Sequence, residues 1–372
     1  MEAIVMERRD YSLVGAEAHR AEERGLTSGN WYAHPIPRKQ MKELMRRKDG
    51  PAIRDTVIWL GVMLVCAILG VHFWGSWLAV PFFAVYGVLY GSASDSRWHE
   101  CGHGTAFKTA WMNNAVYQLA CFMIMREPTV WRWSHTRHHT DTIIVGRDPE
   151  ISFKRPPDFV GVLLNVFALK SSFFALQKLA IHASGRLAPE EETFIPKMEQ
   201  KKVFLVARIY IAILLTVAAL SFGLHSWIPA MLVGLPTLYG GALSIVYGAT
   251  QHAGLCEDVL DHRLNSRTVY MNPINRFVYW NMNYHVEHHM FPMVPYHALP
   301  TLHELIKAEC PQPYPSILAA YREIIPALLK QRRDPNYHIV RELPRATQLA
   351  SVDATAQPAE KTITENMKCP NG

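Results

Sequence analysis

The stretch that decides the fold is Thr56–Phe73, TVIWLGVMLVCAILGVHF, which carries no Asp, Glu, Lys or Arg. A helix rises about 1.5 Å per residue, so this stretch approaches the ~30 Å thickness of the hydrocarbon core of a bilayer. A break at residues 74–77, WGSW, separates it from a second apolar run that begins at Leu78. The two runs therefore predict a hairpin of membrane-spanning helices.

A second hairpin is predicted further along the chain. The apolar run Val203–Phe222 is joined by the short link GLHS to another run, Trp227–Tyr247. With 49% hydrophobic and only 19% charged residues, the composition also departs from that of a typical soluble protein. We therefore expect an all-α integral membrane protein with two helical hairpins and a cytoplasmic helical cap. The four predicted spans are residues 56–73, 78–94, 203–222 and 227–247.

The rest of the chain is more polar. Phe107–Met125 and Phe159–Ala183 combine apolar residues with Lys or Asn side chains, which favours amphipathic helices at the membrane interface. The last residues have low hydrophobicity and predict a flexible tail. The predicted divisions are an N-terminal cytoplasmic segment at 1–55, a membrane domain at 56–300, a C-terminal cytoplasmic helical region at 301–350 and the tail at 351–372.

The distribution of basic residues predicts the orientation. Seven Lys or Arg residues lie from Arg38 to Arg54, whereas the two hairpin links have none. Because loops rich in Lys and Arg stay in the cytoplasm, we expect both termini and the long Tyr90–Lys202 segment on the cytoplasmic side. The modest net charge of +6 does not indicate nucleic-acid binding.

Histidine is the most informative residue type in this chain. Many of the 18 histidines fall in three clusters, HECGH at 99–103, HTRHH at 135–139 and HVEHH at 285–289. Residues three and four apart share one face of a helix, so each cluster can present two or three imidazoles at one place. Two predicted spans separate the second cluster from the third, so all three clusters are expected in the cap on one side of the membrane. The eight histidines concerned are His99, His103, His135, His138, His139, His285, His288 and His289.

The number of imidazoles indicates what they bind. Eight ligands are too many for one tetrahedral zinc ion, which takes four, and they suit two metal ions with nitrogen-rich coordination. Imidazole alone does not decide between iron, zinc, copper and nickel. His252, just past the fourth predicted span, is a ninth candidate metal ligand, although it could instead bond a backbone carbonyl. His262 fits a structural role better than a ligand role.

Two other classes of protein are compatible with parts of this pattern. HECGH matches the HExxH motif of zinc metalloproteases, in which Glu100 would be the base, but such a site leaves the HTRHH and HVEHH clusters without a role. A metal transporter or sensor would place ionisable residues in the middle of its spans. The predicted spans carry none there, which disfavours this third class.

The three boxes together resemble those of one family. HECGH, HTRHH and NYHVEHHMFP, in this order around two hairpins, resemble the membrane fatty acid desaturase and hydroxylase superfamily, in its bacterial branch, over about residues 56–300. The resemblance implies two iron ions held by the histidines, the eight box histidines being catalytic, and O2 as co-substrate. It implies desaturation or hydroxylation of an unactivated C–H in a fatty acyl lipid or a small amino compound. These residues decide neither the substrate nor the reaction.

The resemblance also implies a partner and a location. Electrons would come from a separate donor, a ferredoxin, Rieske-type or rubredoxin-like protein with its reductase, and the active site would face the cytoplasm at a bacterial inner membrane. The basic stretch Arg38–Lys48 could dock an acidic donor, or could set the topology and attract anionic lipid. Carboxylates beside the boxes could fix the outer imidazole nitrogens. The candidates are Asp95, Glu100, Asp141, Asp148 and Glu287.

Overall fold

The structure, a computed structural model, describes residues 9–344; the predicted tail at 351–372 lies outside them. Within residues 9–344 the chain is helical, and β structure is confined to two isolated bridges. Short 3-10 helices lie at Glu191–Thr193 and Lys307–Glu309. In chain order the α-helices are α1 (Ala16–Glu23), α2 (Arg38–Leu44), α3 (Asp49–His72), α4 (Ala79–Gly102), α5 (Ala110–Met123), α6 (Pro128–Thr140), α7 (Phe159–Asn165), α8 (Leu169–Ala183), α9 (Gln200–Gly223), α10 (Ile228–Leu232), α11 (Leu235–Tyr239), α12 (Ala242–His252), α13 (His262–Asn265), α14 (Pro273–Val278), α15 (His285–Met290), α16 (Leu299–Ile306) and α17 (Ile317–Gln331).

Two helical stretches in the described part of the chain are long and apolar enough to cross a membrane. They are Arg38–His72, which covers all but Phe73 of the first predicted span, and Gln200–Gly223, which contains the third. Their apolar side chains face outward: Leu64 is 62% exposed and Leu215 is 65% exposed. Outward-facing apolar surface of this extent is what a lipid environment stabilises. The prediction of an all-helical fold is therefore confirmed, with two candidate membrane-spanning helices among the described residues.

The second predicted span is longer and more polar than expected. Helix α4 does not end near residue 94 but continues through Ser94, Arg97 and His99 to Gly102. Its first half packs against α3, where the Trp59 indole donates to the Leu89 carbonyl at 2.8 Å. Its second half buries polar side chains, so the helix extends from the apolar layer into the region that holds the histidines.

The fourth predicted span is not a continuous helix. Residues 227–247 are divided among α10, α11 and the first part of α12. Pro229 and Pro236 each lie at the start of a short helix, where the missing N–H is tolerated, and Gly234 between them has a φ of 93°. The structure therefore divides the expected continuous helix into three short ones, because apolar composition alone does not reveal helix breakers.

Phe159–Ala183 also differs from its prediction. It forms two helices, α7 and α8, bent by 84° at a break where Ala168 adopts a φ of 49°. The pair is apolar enough to count as one broken span or a re-entrant loop, which brings the candidate spans to three.

A close approach of backbones joins α4 to the broken fourth segment. A Cβ added at Gly240 would overlap the carbonyl group of Gly87, and the Ser92 hydroxyl donates to the Gly240 carbonyl at 2.5 Å. Small residues allow helices to pack this closely in membranes. Beyond this contact the chain enters a deeply buried segment, residues 253–269, which packs against the histidine-bearing helices.

Candidate metal centre

Nine histidines from four separate segments lie together in the structure. His99 lies in the last turn of α4 and His103 directly follows that helix, while His252 is the last residue of α12. The other six are three on α6 and three on α15. We call the nine residues the histidine centre: His99, His103, His135, His138, His139, His252, His285, His288 and His289.

The local sequence explains how α6 presents its three imidazoles. Glu127 caps the helix by accepting a hydrogen bond from the Val130 N–H at 2.6 Å, and Pro128 occupies the first turn. One turn of helix places His135 and His139 on the same face, and their Nε2 atoms are 3.1 Å apart.

Five imidazoles form a first group. One ring nitrogen from each of His99, His103, His135, His139 and His288 lies within 4.8 Å of all the others. The Nε2 atom of His288 is 2.7 Å from that of His99 and 3.2 Å from that of His139. The first and third boxes, 189 residues apart in sequence, therefore meet directly.

The remaining four imidazoles form a second group beside the first. Ring nitrogens of His138, His252 and His289 lie within 4.8 Å of one another. The Nε2 atom of His285 is 2.9 Å from that of His252 and 3.0 Å from that of His289. The structure thus brings together all nine histidines that the sequence singles out, in two adjacent groups.

Hydrogen bonds at the outer nitrogens determine which ring nitrogens face inward. The Nδ1–H of His138 donates to Asp148 at 2.8 Å, and that of His135 donates to Glu150 at 3.0 Å. The Nδ1–H of His252 donates to the Asn265 carbonyl at 2.7 Å. These acceptors place the proton on Nδ1, so the Nε2 lone pair of each ring points into the centre.

The electrostatics of the cluster favour a bound cation. Burial, followed by the proximity of other imidazoles, lowers the pKa of His139, His288 and His289 well below its usual value, so these rings are neutral. The buried Nδ1 atoms of His139 and His288 have no hydrogen-bond partner among the described residues. The ring nitrogens that converge within 4.8 Å of one another form a buried, nitrogen-rich set that could hold a metal ion. The donor set fits such an ion.

The carboxylates that support the rings were only partly foreseen. Asp148 bonds an imidazole as predicted, whereas Glu150, two residues further along the same loop, was not foreseen. Its bonds to His135 and Ser134 outweigh the effect of burial and lower the Glu150 pKa to about 2.

The other four predicted carboxylates contact different partners, which corrects that expectation. Asp95 pairs with Arg126 at 2.8 Å, and Asp141 pairs with Arg137 at 2.6 Å. Glu287 accepts from the Nδ1–H of His303, a buried histidine outside the centre. Glu100 accepts from the Thr105 hydroxyl and from the Tyr296 N–H.

His262 lies beside the histidine centre and not within its two groups. Its ring stacks on the Trp31 indole, with ring centroids 4.2 Å apart and an interplanar angle of 3°. The centroid of the His289 ring is 5.2 Å away on the other side. Burial lowers the His262 pKa to about 3, so this ring is also neutral. No spacing in the sequence indicates this contact with Trp31, 231 residues away in the chain.

Two curated relatives each match about seven tenths of the chain. The chain is 26% identical over 284 residues to the "sn-2 acyl-lipid omega-3 desaturase (ferredoxin), chloroplastic" of Helianthus annuus, covering 71% of this chain and 62% of that protein. It is 24% identical over 280 residues to the "Omega-3 fatty acid desaturase, chloroplastic" of Sesamum indicum, covering 68% of this chain and 59% of that protein. The chain thus spans about three fifths of the length of these curated relatives.

A family match covers most of the chain. The family model described as "Fatty acid desaturase" matches residues 75–321. These residues contain all four segments that contribute to the histidine centre. The chain belongs to the fatty acid desaturase family.

Proposed function

We propose that the chain is an O2-dependent di-iron membrane oxidoreductase that desaturates a fatty acyl chain of a lipid. The observation that carries the proposal is the convergence of nine imidazoles in two adjacent groups. The names of the two relatives support desaturation of an acyl lipid over hydroxylation and over a small amino compound.

The two groups would each hold one iron ion. The first group would use the imidazoles of His99, His103, His135, His139 and His288, and the second those of His138, His252, His285 and His289. When bound, iron would supply the binding and reduction of O2 that oxidises the C–H bond. The net reaction takes two hydrogens from adjacent carbons, two external electrons and two protons, and converts O2 to two waters.

The chain's own residues orient the imidazoles and keep water out. Asp148 and Glu150 hold protons on the Nδ1 atoms of His138 and His135, so that Nε2 stays available as a ligand. His288 and His285 are 0% and 2% exposed, so these two imidazoles lie away from bulk water. A dry, preorganised set of ligands limits side reactions of O2.

The structure gives no support to the alternative of a zinc protease based on HECGH. The Oε1 atom of Glu100 accepts from the Thr105 hydroxyl at 2.7 Å and from the Tyr296 N–H at 2.9 Å. Among the described residues, no hydrogen bond joins Glu100 to an imidazole. It therefore anchors the loop after α4 to the segment after α15.

The topology and setting are part of the proposal. We infer that α3, α4, α9 and the broken segment α10–α12 make four passages of the bilayer, with the histidine centre in a cap on the cytoplasmic side of a bacterial inner membrane. The basic residues from Arg38 to Arg54 support this orientation. The domain boundaries at residues 56 and 300 follow from the same arrangement.

An external electron donor completes the reaction. We propose a ferredoxin, with its reductase, over the Rieske-type and rubredoxin-like alternatives. The support is the name of the Helianthus annuus relative, which includes ferredoxin.

Product analysis tests the proposed reaction. The purified protein in lipid nanodiscs is supplied with ferredoxin, its reductase, NADPH and O2, and the acyl chains are analysed by mass spectrometry. We expect a new double bond, formed only when O2 and ferredoxin are both present. A hydroxylated chain would make the protein a hydroxylase, and an iron-loaded protein that leaves the lipid unchanged would contradict the proposed substrate.

A further inference from the structure

The proposed function requires electrons to reach the histidine centre from outside the protein. Electron tunnelling becomes exponentially slower with distance, so the entry point should combine surface exposure with close contact to the centre. We propose that the stacked rings of Trp31 and His262 are the point at which a docked one-electron iron–sulfur protein passes its electrons to the histidine centre. This inference rests on the proposed function.

The rings make an uninterrupted path from the surface to the centre. Trp31 is half-buried, and its indole lies flat on the His262 ring with centroids 4.2 Å apart. His262 is 3% exposed, and its ring centroid is 5.2 Å from that of His289, a member of the second group. A single buried ring therefore separates a partly exposed indole from a candidate metal ligand.

The indole is held in place from several sides. The Trp31 Nε1–H donates to the Thr140 carbonyl at 3.0 Å, at the end of the helix that carries the second histidine box. The neighbouring Tyr32 N–H donates to the Leu260 carbonyl at 2.9 Å, and the Tyr32 hydroxyl donates to Glu309 at 2.8 Å. These contacts fix the stack before any partner arrives, which reduces the entropy lost on docking.

The surface around the indole is open to a partner. Thr27, Ser28, Gly29 and Asn30, directly before Trp31, are exposed and uncharged. On α6, Arg132, Thr136 and Thr140 form an exposed stripe with a spacing of four residues, which ends at the carbonyl that Trp31 bonds. Arg132, at the far end of this stripe, is exposed and would attract an iron–sulfur protein that has acidic residues around its docking surface.

The transfer itself forms and breaks no bond at either ring. Each docked donor loses one electron and the centre gains it, so two successive donors supply the two electrons that one turnover needs. The rings of Trp31 and His262 act only as the medium through which the electron passes. Their contribution is therefore a rate of transfer, and the composition of the metal centre does not depend on it.

Stopped-flow mixing tests this assignment without measuring turnover. Reduced plant-type [2Fe–2S] ferredoxin is mixed anaerobically with the oxidised iron-loaded protein, and oxidation of the ferredoxin is followed by its visible absorbance. The variants are Trp31→Leu, which keeps an apolar side chain without a ring, Trp31→Phe, which keeps a ring, and Trp111→Leu. Trp111 is a matched control because it is 67% exposed and has no ring contact with an imidazole among the described residues.

We expect Trp31→Leu to lower the limiting rate at saturating ferredoxin by an order of magnitude, while Trp31→Phe retains most of the rate and Trp111→Leu retains all of it. Iron content and reduction by dithionite, which needs no docking, should be unchanged in every variant. Transfer at the wild-type rate in Trp31→Leu, or an equal slowing with dithionite, would overturn the inference alone. A wild-type protein that takes no electrons from either reductant would overturn the proposed function as well.

Discussion

Helices α3 and α9 differ from helix α15 in which side chains they bury. In α3 and α9 many apolar side chains lie on the outside, and Phe222 is 82% exposed. In α15 all six residues from His285 to Met290 are buried, including Glu287 at 0% exposure. The first region is adapted to lipid, and the second must satisfy its polar groups within the protein. Stability in the two regions therefore depends on different interactions. Substitutions in the two regions should accordingly differ in the size of their effects.

The largest effect is expected from removing a shared imidazole. His288→Ala deletes the ring whose Nε2 lies 2.7 Å from that of His99 and 3.2 Å from that of His139. Loss of a supporting residue costs about 10–100-fold in metal affinity or activity, so loss of a ligand should reduce activity by more than about 100-fold. Iron content and product formation measure the effect.

The control for this experiment is His19→Ala, because His19 is exposed and lies outside the histidine centre. It should retain both iron and activity. Wild-type activity in His288→Ala with full iron content would mean that this imidazole is not a ligand.

A smaller effect is expected from a carboxylate that supports an imidazole. Asp148→Asn replaces the acceptor of the His138 Nδ1–H with a neutral amide, which should weaken metal binding by about 10–100-fold. Asp141→Asn is the matched control, because Asp141 pairs with Arg137 and Arg147. Competition with a chromogenic chelator measures both affinities. Equal affinities in the two variants would show that the bond to Asp148 does not support the centre.

A packing effect is expected where backbones meet between the two regions. Gly240→Ala would force its Cβ into Gly87, and such overpacking costs about 1–3 kcal/mol. Thermal unfolding in detergent micelles should show a lower Tm. In Gly248→Ala the added methyl meets open space within α12, so the Tm should stay the same or rise. An unchanged Tm in Gly240→Ala would show that α4 and α11 are further apart than described.

The smallest effect is expected on the lipid-facing surface. Leu64→Ala and Leu215→Ala each shorten a side chain that is more than 60% exposed, 62% and 65% respectively. Substitutions outside a packed core usually change stability by less than about 0.5 kcal/mol. Thermal unfolding in nanodiscs should give Tm values close to wild type, and a large fall in either variant would place that side chain in a protein contact.

The difference between the lipid-facing helices and the buried helix α15 explains which features could be predicted from the sequence. Lipid selects for uniformly apolar composition, so the spans at 56–73 and 203–222 are visible without any knowledge of packing. The break in the fourth segment was missed although Pro229, Gly234 and Pro236 signal it, because average hydropathy does not register helix breakers.

The candidate site was also predicted in part. Spacing within the boxes places the imidazoles on shared helix faces, and their number indicates two ions. The support from Glu150 and the stack of Trp31 on His262 depend on how distant segments fold over the centre. Contacts of that kind have no local signature in the sequence.

Metal stoichiometry combined with iron K-edge absorption spectroscopy tests the central claim most directly. The claim is that nine imidazoles from four segments form one centre for two iron ions. We expect about two irons per chain in the purified protein, with a first coordination shell dominated by imidazole nitrogen. About one zinc per chain and no stoichiometric iron would contradict the account.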